Sequence, residues 1–246
     1  MISFSILIIG ILKSAIGNLQ STIFNIQYSI FNIALYFSFK VNTIMKKLPV
    51  EFYKRKDVVL IARDLIGKII VTNFDGIITS GRIVETEAYI GLTDKASHSF
   101  GGKRTVRNEH MYAAAGTAYV YICYGMHHLF NVVTNNKDIP DAILIRAVEP
   151  LSGVNIMLQR TGKKKIDNTL TRGPGNTARA LGISKNNSGL NLLHQEIFIA
   201  TDDLAIEKKV VGTSRRIGVE SSGEAALLPY RFYIKGNPFV SSYPNK

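Results

Sequence analysis

The sequence holds one cysteine, Cys123, in 246 residues. A single thiol excludes an internal disulfide and any zinc or iron–sulfur site built from several thiolates. The five histidines, at positions 98, 110, 127, 128 and 194, form no HExxH pattern. The adjacent His127 and His128 would face opposite sides of a strand, which argues against a shared metal. Acids are few: 18 Asp and Glu stand against 30 Lys and Arg, for a net charge of +12 and a pI of about 9.7. That balance favours polyanionic partners, nucleic acid before an anionic membrane surface. No Pro-, Gly- or Ser-rich linker divides the chain.

Residues 1–44 carry only two charged side chains, Lys13 and Lys40, and repeat "IFNI" at Ile23–Ile26 and Ile30–Ile33. Their longest apolar run, Ile6–Leu12, falls well short of the ~20 residues that span a bilayer. A basic n-region and a small-residue cleavage site, the marks of a signal peptide, are missing. The expectation is a non-native or disordered hydrophobic leader over 1–44, with the native start at Met45 and one functional domain over 45–246. A membrane anchor is the alternative.

What is present is enough for a packed core, with 46% hydrophobic and 20% charged residues. Asp57 is placed to cap a helix through "VVLIARDLIG", with Gly67 as its stop. "KIIVTNF" and "IITSGRIVETEAYI" read as strands around a turn at Asp75–Gly76, and "TAYVYICYGMHHLFNVVT" as a hairpin turning at Tyr124–Gly125. "DKASHSFGGKRTVRNEH" reads as an exposed loop. "AILIRAVEP" is a strand closed by Pro150, "LSGVNIMLQR" a helix, and "RGPGNTARALGI" a turn opening a helix whose first N–H groups could face an anion. "EIFIA", "KKVVGTSRRIGV" and "RFYIK" complete the strands. The fold class expected is α+β, one domain with a largely antiparallel sheet. Cys123 is expected as a small buried apolar residue.

One stretch raises a question of chemistry. "GRIVETEAYIG", Gly81–Gly91, is strand-like, so Glu85, Glu87 and Tyr89 share one face and Val84, Thr86 and Ala88 the other. Solvated or ion-paired carboxylates are the bland explanation. A metal site is the weaker functional one, because one strand supplies too few ligands and no Asp/Glu/His cluster is recognisable elsewhere. A carboxylate base suits water attack on a carbon that turns cation-like, as at a glycosidic bond. Tyr89, Tyr119, Tyr121 and Tyr124 gather around this strand and the hairpin. Strand tyrosines usually pack in a core, but Tyr124 falls at the hairpin tip, where it suits a wedge between base steps. Tyrosines beside a pocket suit stacking on a flipped base. Basic groups at Lys54–Lys56, Lys103–Arg104 with Arg107, Lys163–Lys165 and Arg215–Arg216 tilt toward phosphate contacts.

"GRIVETEAYIG…DKASHSFGGKRTVRN", "GTAYVYICYGMHHLFNVV", "AILIRAVEPLSG", "RGPGNTARALGI" and "RFYIKGNPFVS" closely resemble the alkyladenine (3-methyladenine) DNA glycosylase family, collinearly from about Leu48 to about Ser242. The resemblance implies a single mixed domain around a curved antiparallel sheet, with flanking helices and a protruding hairpin. It implies excision of alkylated or deaminated purines from damaged double-stranded DNA with no metal and no cofactor. Glu87 is then the general base and Arg146 the residue that helps hold the water. Tyr89 and Tyr121 are the stacking walls, His98 a pocket residue that stacks and hydrogen-bonds, and Asn131 the residue that excludes guanine. Tyr124 is the wedge, supported by Met126. Glu85 is structural, and Lys103, Arg104, Arg107 and Arg172 are expected at phosphates. A monomer is implied, without stable membrane association, cytoplasmic and nucleoid-associated if bacterial. Three positions depart from the family's habit: Val106 for proline, Asn176 for lysine and Tyr230 for tryptophan. The alternative is a non-catalytic nucleic-acid-binding module on the same fold, in which Glu87 has no task.

Overall fold

The computed structural model describes residues 45–202 and 204–241. The leader and its repeat lie outside the described residues. The chain enters through a short strand, β1 (Lys46–Lys47), and one helical turn, α1 (Val50–Tyr53). Asp57 accepts a hydrogen bond from the Leu60 N–H at 2.9 Å and so starts α2 (Val58–Asp64), as its position in the sequence implied. β2 (Ile69–Phe74) and β3 (Ile77–Tyr89) follow. Between them Asp75 and Gly76 both have positive φ, 53° and 80°, the turn whose twist matches a hairpin. β4 (Ala118–Cys123) and β5 (His127–Thr134) form the second hairpin, and β6 (Asp141–Ser152) runs back beside β3. Two helices, α3 (Val154–Thr161) and α4 (Pro174–Leu181), precede β7 (Ile197–Thr201), β8 (Val211–Ser214) and β9 (Arg231–Ile234).

The sheet order is β1-β7-β2-β3-β6-β5-β4, with β9 on the far half of β3 and β8 outside β9. Each pairing between these strands is antiparallel, which makes the fold α+β as expected. Strand alternation sorts the two faces of the sheet. Val120, Phe130, Val132, Ile143 and Ile145 join Ile61 and Ala62 of α2, Met157 of α3 and Leu181 of α4 in the main core. Full burial of side chains like these contributes about 1.5–3 kcal/mol each. Thr86 lies on that apolar face, and its hydroxyl is satisfied by the Ala62 carbonyl at 2.8 Å. The intervening residues Tyr119, Tyr121, Leu129, Asn131, Ala142 and Leu144 line a cleft on the opposite face.

Four sequence readings need correction. β6 does not close at Pro150 but runs through it to Ser152. β5 pairs with β6 only over Asp141–Leu144, so the far end of β6 is an edge, where proline is tolerated. The helix expected from Leu151 starts at Val154, because Leu151 and Ser152 stay in β6 and Gly153 turns the chain with φ 71°. "KKVVGTSRRIGV" is a strand only over Val211–Ser214; Arg215–Val219 leaves the sheet to make contacts described below. Cys123 is half-buried at the end of β4 and lines two clefts rather than the core.

Candidate active site

The register of five strands aligns one row of residues. Tyr119 of β4 pairs with Asn131 of β5, Asn131 with Leu144 of β6, Leu144 with Glu87 of β3, and Glu87 with Arg231 of β9. Beside this row the β3–β6 ladder shifts register twice, between Ile83 and Glu85 and between Glu85 and Thr86. In the second shift Glu85 faces Ala147 and Thr86 faces Ile145, so Arg146 is the extra residue of a bulge. Arg146 shares the cavity face with Ala142 and Leu144 and reaches both glutamates from it, while past the bulge the alternation reverses and Val148 joins the core with Ile143 and Ile145.

Glu85 and Glu87 are both fully buried, and their surroundings differ. Glu85 Oε1 accepts from Arg146 Nε at 2.9 Å, Arg231 Nε at 2.8 Å and Ser241 Oγ at 2.7 Å, and its Oε2 from the Ser241 N–H at 2.8 Å. Burial by itself would raise this carboxyl; the charges of Arg146 and Arg231, with Ser241, outweigh burial and hold it below the usual range. Glu87 Oε2 accepts from the Tyr89 hydroxyl at 2.8 Å and Arg146 Nη1 at 3.2 Å, and its Oε1 from the Ile217 N–H at 2.8 Å. Arg146 is itself 6% exposed. Burial would weaken its charge, but Glu87 and Glu85 more than offset that and keep it a guanidinium.

Above this charged floor lies a cavity of about 290 Å3. Tyr89, His98, Tyr121 and Asn131, four residues that the sequence pointed to, all line it, together with Arg146. Glu87 is not on the wall; it reaches the cavity through Tyr89, Arg146 and Ile217, which are. Burial and then Glu87 push the Tyr89 hydroxyl well above its usual value, so it stays a donor. His98 keeps an outer edge open to solvent, while its Nδ1 meets the Tyr119 hydroxyl at 2.9 Å and its ring stands edge-on to Tyr121 at 4.5 Å. Burial of the ring, followed by the charges of Arg107 and Lys103, lowers its imidazole to about 4. Asn131 donates its amide to the Tyr119 and Leu129 carbonyls at 3.1 and 3.3 Å, which fixes its orientation.

The hairpin tip stands beside the cavity. Tyr124 is 88% exposed and Met126 72%. The four residues expected at phosphates are placed unequally. Arg107 donates to the Ile122 carbonyl of the hairpin at 3.3 Å, with its guanidinium 5.6 Å from the Tyr121 ring. Arg172 donates to the Pro238 carbonyl and lines a second cleft on the tip with Tyr124 and His127. Lys103 lies on the exposed loop before Arg107, with no acid paired to it among the described residues. Arg104 is engaged by Glu109 at 2.5 Å and Asp138 at 2.9 Å, which neutralises it locally. Other basic groups are answered in the same way: Arg55 pairs with Asp64, and Arg216 is buried against Asp94. Among the departures, Val106 is 98% exposed, Asn176 donates to the Arg172 carbonyl at 3.0 Å, and Tyr230 packs against the core.

Sequence reasoning missed Ile217, whose backbone N–H binds Glu87, and Ser241, which binds Glu85. A backbone donor leaves no mark in residue type. The glycine after Ile217 was the one hint that "SRRIG" leaves the sheet. Among the described residues no group of three or more His, Cys, Asp or Glu could hold a metal, and no helix is long and apolar enough to cross a membrane.

A basic α+β domain with a buried carboxylate under a tyrosine-walled cavity, beside an exposed aromatic tip, has the layout of an enzyme that works on an extruded base. The family model for methylpurine-DNA glycosylase (MPG) matches residues 51–238, and the chain belongs to this family. It is 44% identical over 199 residues to a Clostridium perfringens protein named "Putative 3-methyladenine DNA glycosylase", covering 78% of this chain and 97% of that one. Proteins of the same name from Desulfitobacterium hafniense and Bacillus cereus are 44% and 45% identical, covering 80% and 78% of this chain and 99% and 98% of theirs.

Proposed function

We propose that the protein hydrolyses the N-glycosidic bond of a damaged purine flipped out of duplex DNA, with Glu87 as general base. The observation that carries this reading is the hydrogen-bond count at Glu87. A carboxylate accepts about four hydrogen bonds. The three groups that bond Glu87, from Tyr89, Arg146 and Ile217, all belong to residues of the cavity wall, and among the described residues its Oε1 accepts only from the Ile217 N–H, which leaves a position there for a water; Glu85 is held instead by Arg146, Arg231 and Ser241. Arg146 orients that water from the cavity wall. As the bond from C1′ to the base nitrogen lengthens, the sugar gains oxocarbenium character that the carboxylate offsets. The water oxygen bonds to C1′, Glu87 takes its proton, and the base departs with the bonding electrons. Tyr89, Tyr121 and His98 hold the base, and Tyr124 with Met126 fills the vacated stack. Among residues at phosphates, Lys103, Arg107 and Arg172 are favoured over Arg104.

At pH 7 His98 is neutral, because its imidazole titrates at about 4. It therefore supplies no imidazolium proton to a leaving base. This supports 3-methyladenine and 7-methylguanine, which carry positive charge before cleavage, as better substrates than neutral hypoxanthine or ethenoadenine. The test is single-turnover base release from duplexes bearing each lesion, with wild type beside Glu87→Gln. The variant is expected to lose about 10²–10⁴-fold in rate and keep DNA binding. Salt-sensitive DNA binding with no release from any lesion would instead identify a non-catalytic binding module on the same fold.

A further inference from the structure

We infer that the buried Asp94–Arg216 ion pair is a positioning unit for Glu87, tying two of the segments that wall the cavity to the strand that carries the base. The inference rests on the assignment of Glu87 as base. Asp94 follows β3 and is 3% exposed; Arg216 follows β8 and is 4% exposed. Arg216 donates to both Asp94 oxygens, to the Ala88 carbonyl at 2.8 Å and to the Ala225 carbonyl at 3.0 Å. Its guanidinium lies 4.7 Å from the Tyr89 ring, on the residue whose hydroxyl binds Glu87. The next residue, Ile217, gives Glu87 its backbone N–H, and Ile217–Val219 wall the cavity. Asp94 in turn accepts from the Ala96 N–H at 2.9 Å, and its carbonyl from the Ser97 N–H, which sets the segment that ends in His98. One side-chain pair thus links β3, the Ala96–His98 wall and the Ile217–Val219 wall. Buried ion pairs contribute little stability relative to apolar packing. A planar guanidinium that serves several acceptors at once does fix geometry. Neither residue needs to touch DNA.

Arg216→Lys keeps a charge for Asp94 but cannot serve Ala88 and Ala225 together. Asp94→Asn keeps the shape, removes the charge, and serves as the second variant should Arg216→Lys fold poorly. For each, the fraction of active molecules, the single-turnover rate constant and the affinity for undamaged duplex are measured, alone and with Glu87→Gln. The rate constant per active molecule is expected to fall about 10–100-fold with undamaged-duplex affinity preserved, the scale of a misplaced catalytic group. In the Glu87→Gln background the added loss is expected to shrink to about twofold, because both changes act through one carboxylate. An unchanged rate constant, or the same loss in both backgrounds, would reduce the pair to a structural contact. Full activity in Glu87→Gln alone would remove the base assignment itself. Loss in Glu87→Gln, with both pair variants unaffected, would remove only this inference.

Discussion

Beneath the cavity, charge is buried and answered: Glu85, Glu87, Arg146, Arg231, Asp94 and Arg216 are each under about a tenth exposed and hydrogen-bonded to one another or to backbone. At the hairpin tip nearby, Tyr124 and Met126 project into solvent, and the backbone turns through positive φ at Tyr124. In the proposed reaction the first region holds the base still, since a buried carboxylate that moved would lose its compensation. The second, in the proposed function, meets a surface the protein does not contain. The contrast teaches where each kind of substitution will register: as stability in the floor, as affinity at the tip.

Removing a partner from the floor should have the largest effect. Glu85→Gln leaves Arg146 and Arg231 without their shared anion, and chemical denaturation should show a loss of about 3–5 kcal/mol. A loss near zero would mean that the two arginines find other acceptors, and the contrast with the tip would fail. Next comes Tyr124→Ser, expected to weaken binding to a lesion-containing duplex by about tenfold, the scale of one stacked aromatic, without lowering the melting temperature. A smaller difference separates two neighbouring cations. Arg107→Ala should reduce the slope of log affinity against log salt by about 1, as for one lost phosphate contact, while Arg104→Ala, whose charge is already met by Glu109 and Asp138, should leave it unchanged. The last effect concerns pH, at a ring whose outer edge is open to solvent, which weakens it. The His98 imidazole falls from 6.5 to about 4 on folding, so the folded state binds fewer protons between those values. Its contribution to stability is full above pH 6.5 and is lost as pH falls through about 4. Its ring resonances in NMR should stay flat from pH 8 to 5; a midpoint near 6.5 would mean that the open edge of the ring outweighs its partial burial and the charges of Arg107 and Lys103.

The alternation in "ETEAY" was legible, and the structure does place Glu85 and Glu87 on one arginine, with the Tyr89 hydroxyl on Glu87. The Asp57 cap, both hairpin turns and the exposed tip were legible too, because each depends on neighbours in sequence. The bulge at Arg146 was not, since it arises from pairing between strands about sixty residues apart. Nor was the fate of Arg216. Two arginines in a row look like a solvated face or a phosphate site, and only the arrival of Asp94, 122 residues away, makes one of them a buried clamp. Pro150 misled for a similar reason: proline ends strands inside a sheet, and the local lack of a β5 partner was not visible in the sequence.

Four non-glycine residues have positive φ among the described residues, and three of them, Asp75, Asn135 and Asp138, are types that tolerate it. The fourth is Tyr124, at 50°. A left-handed conformation costs an ordinary side chain about 1–2 kcal/mol, which in a domain of this size corresponds to about 2–8 °C of melting temperature. Selection for heat resistance alone would therefore replace Tyr124 with asparagine or glycine early. In the proposed function, the tyrosine at this position trades thermal robustness for an aromatic side chain placed to probe a duplex.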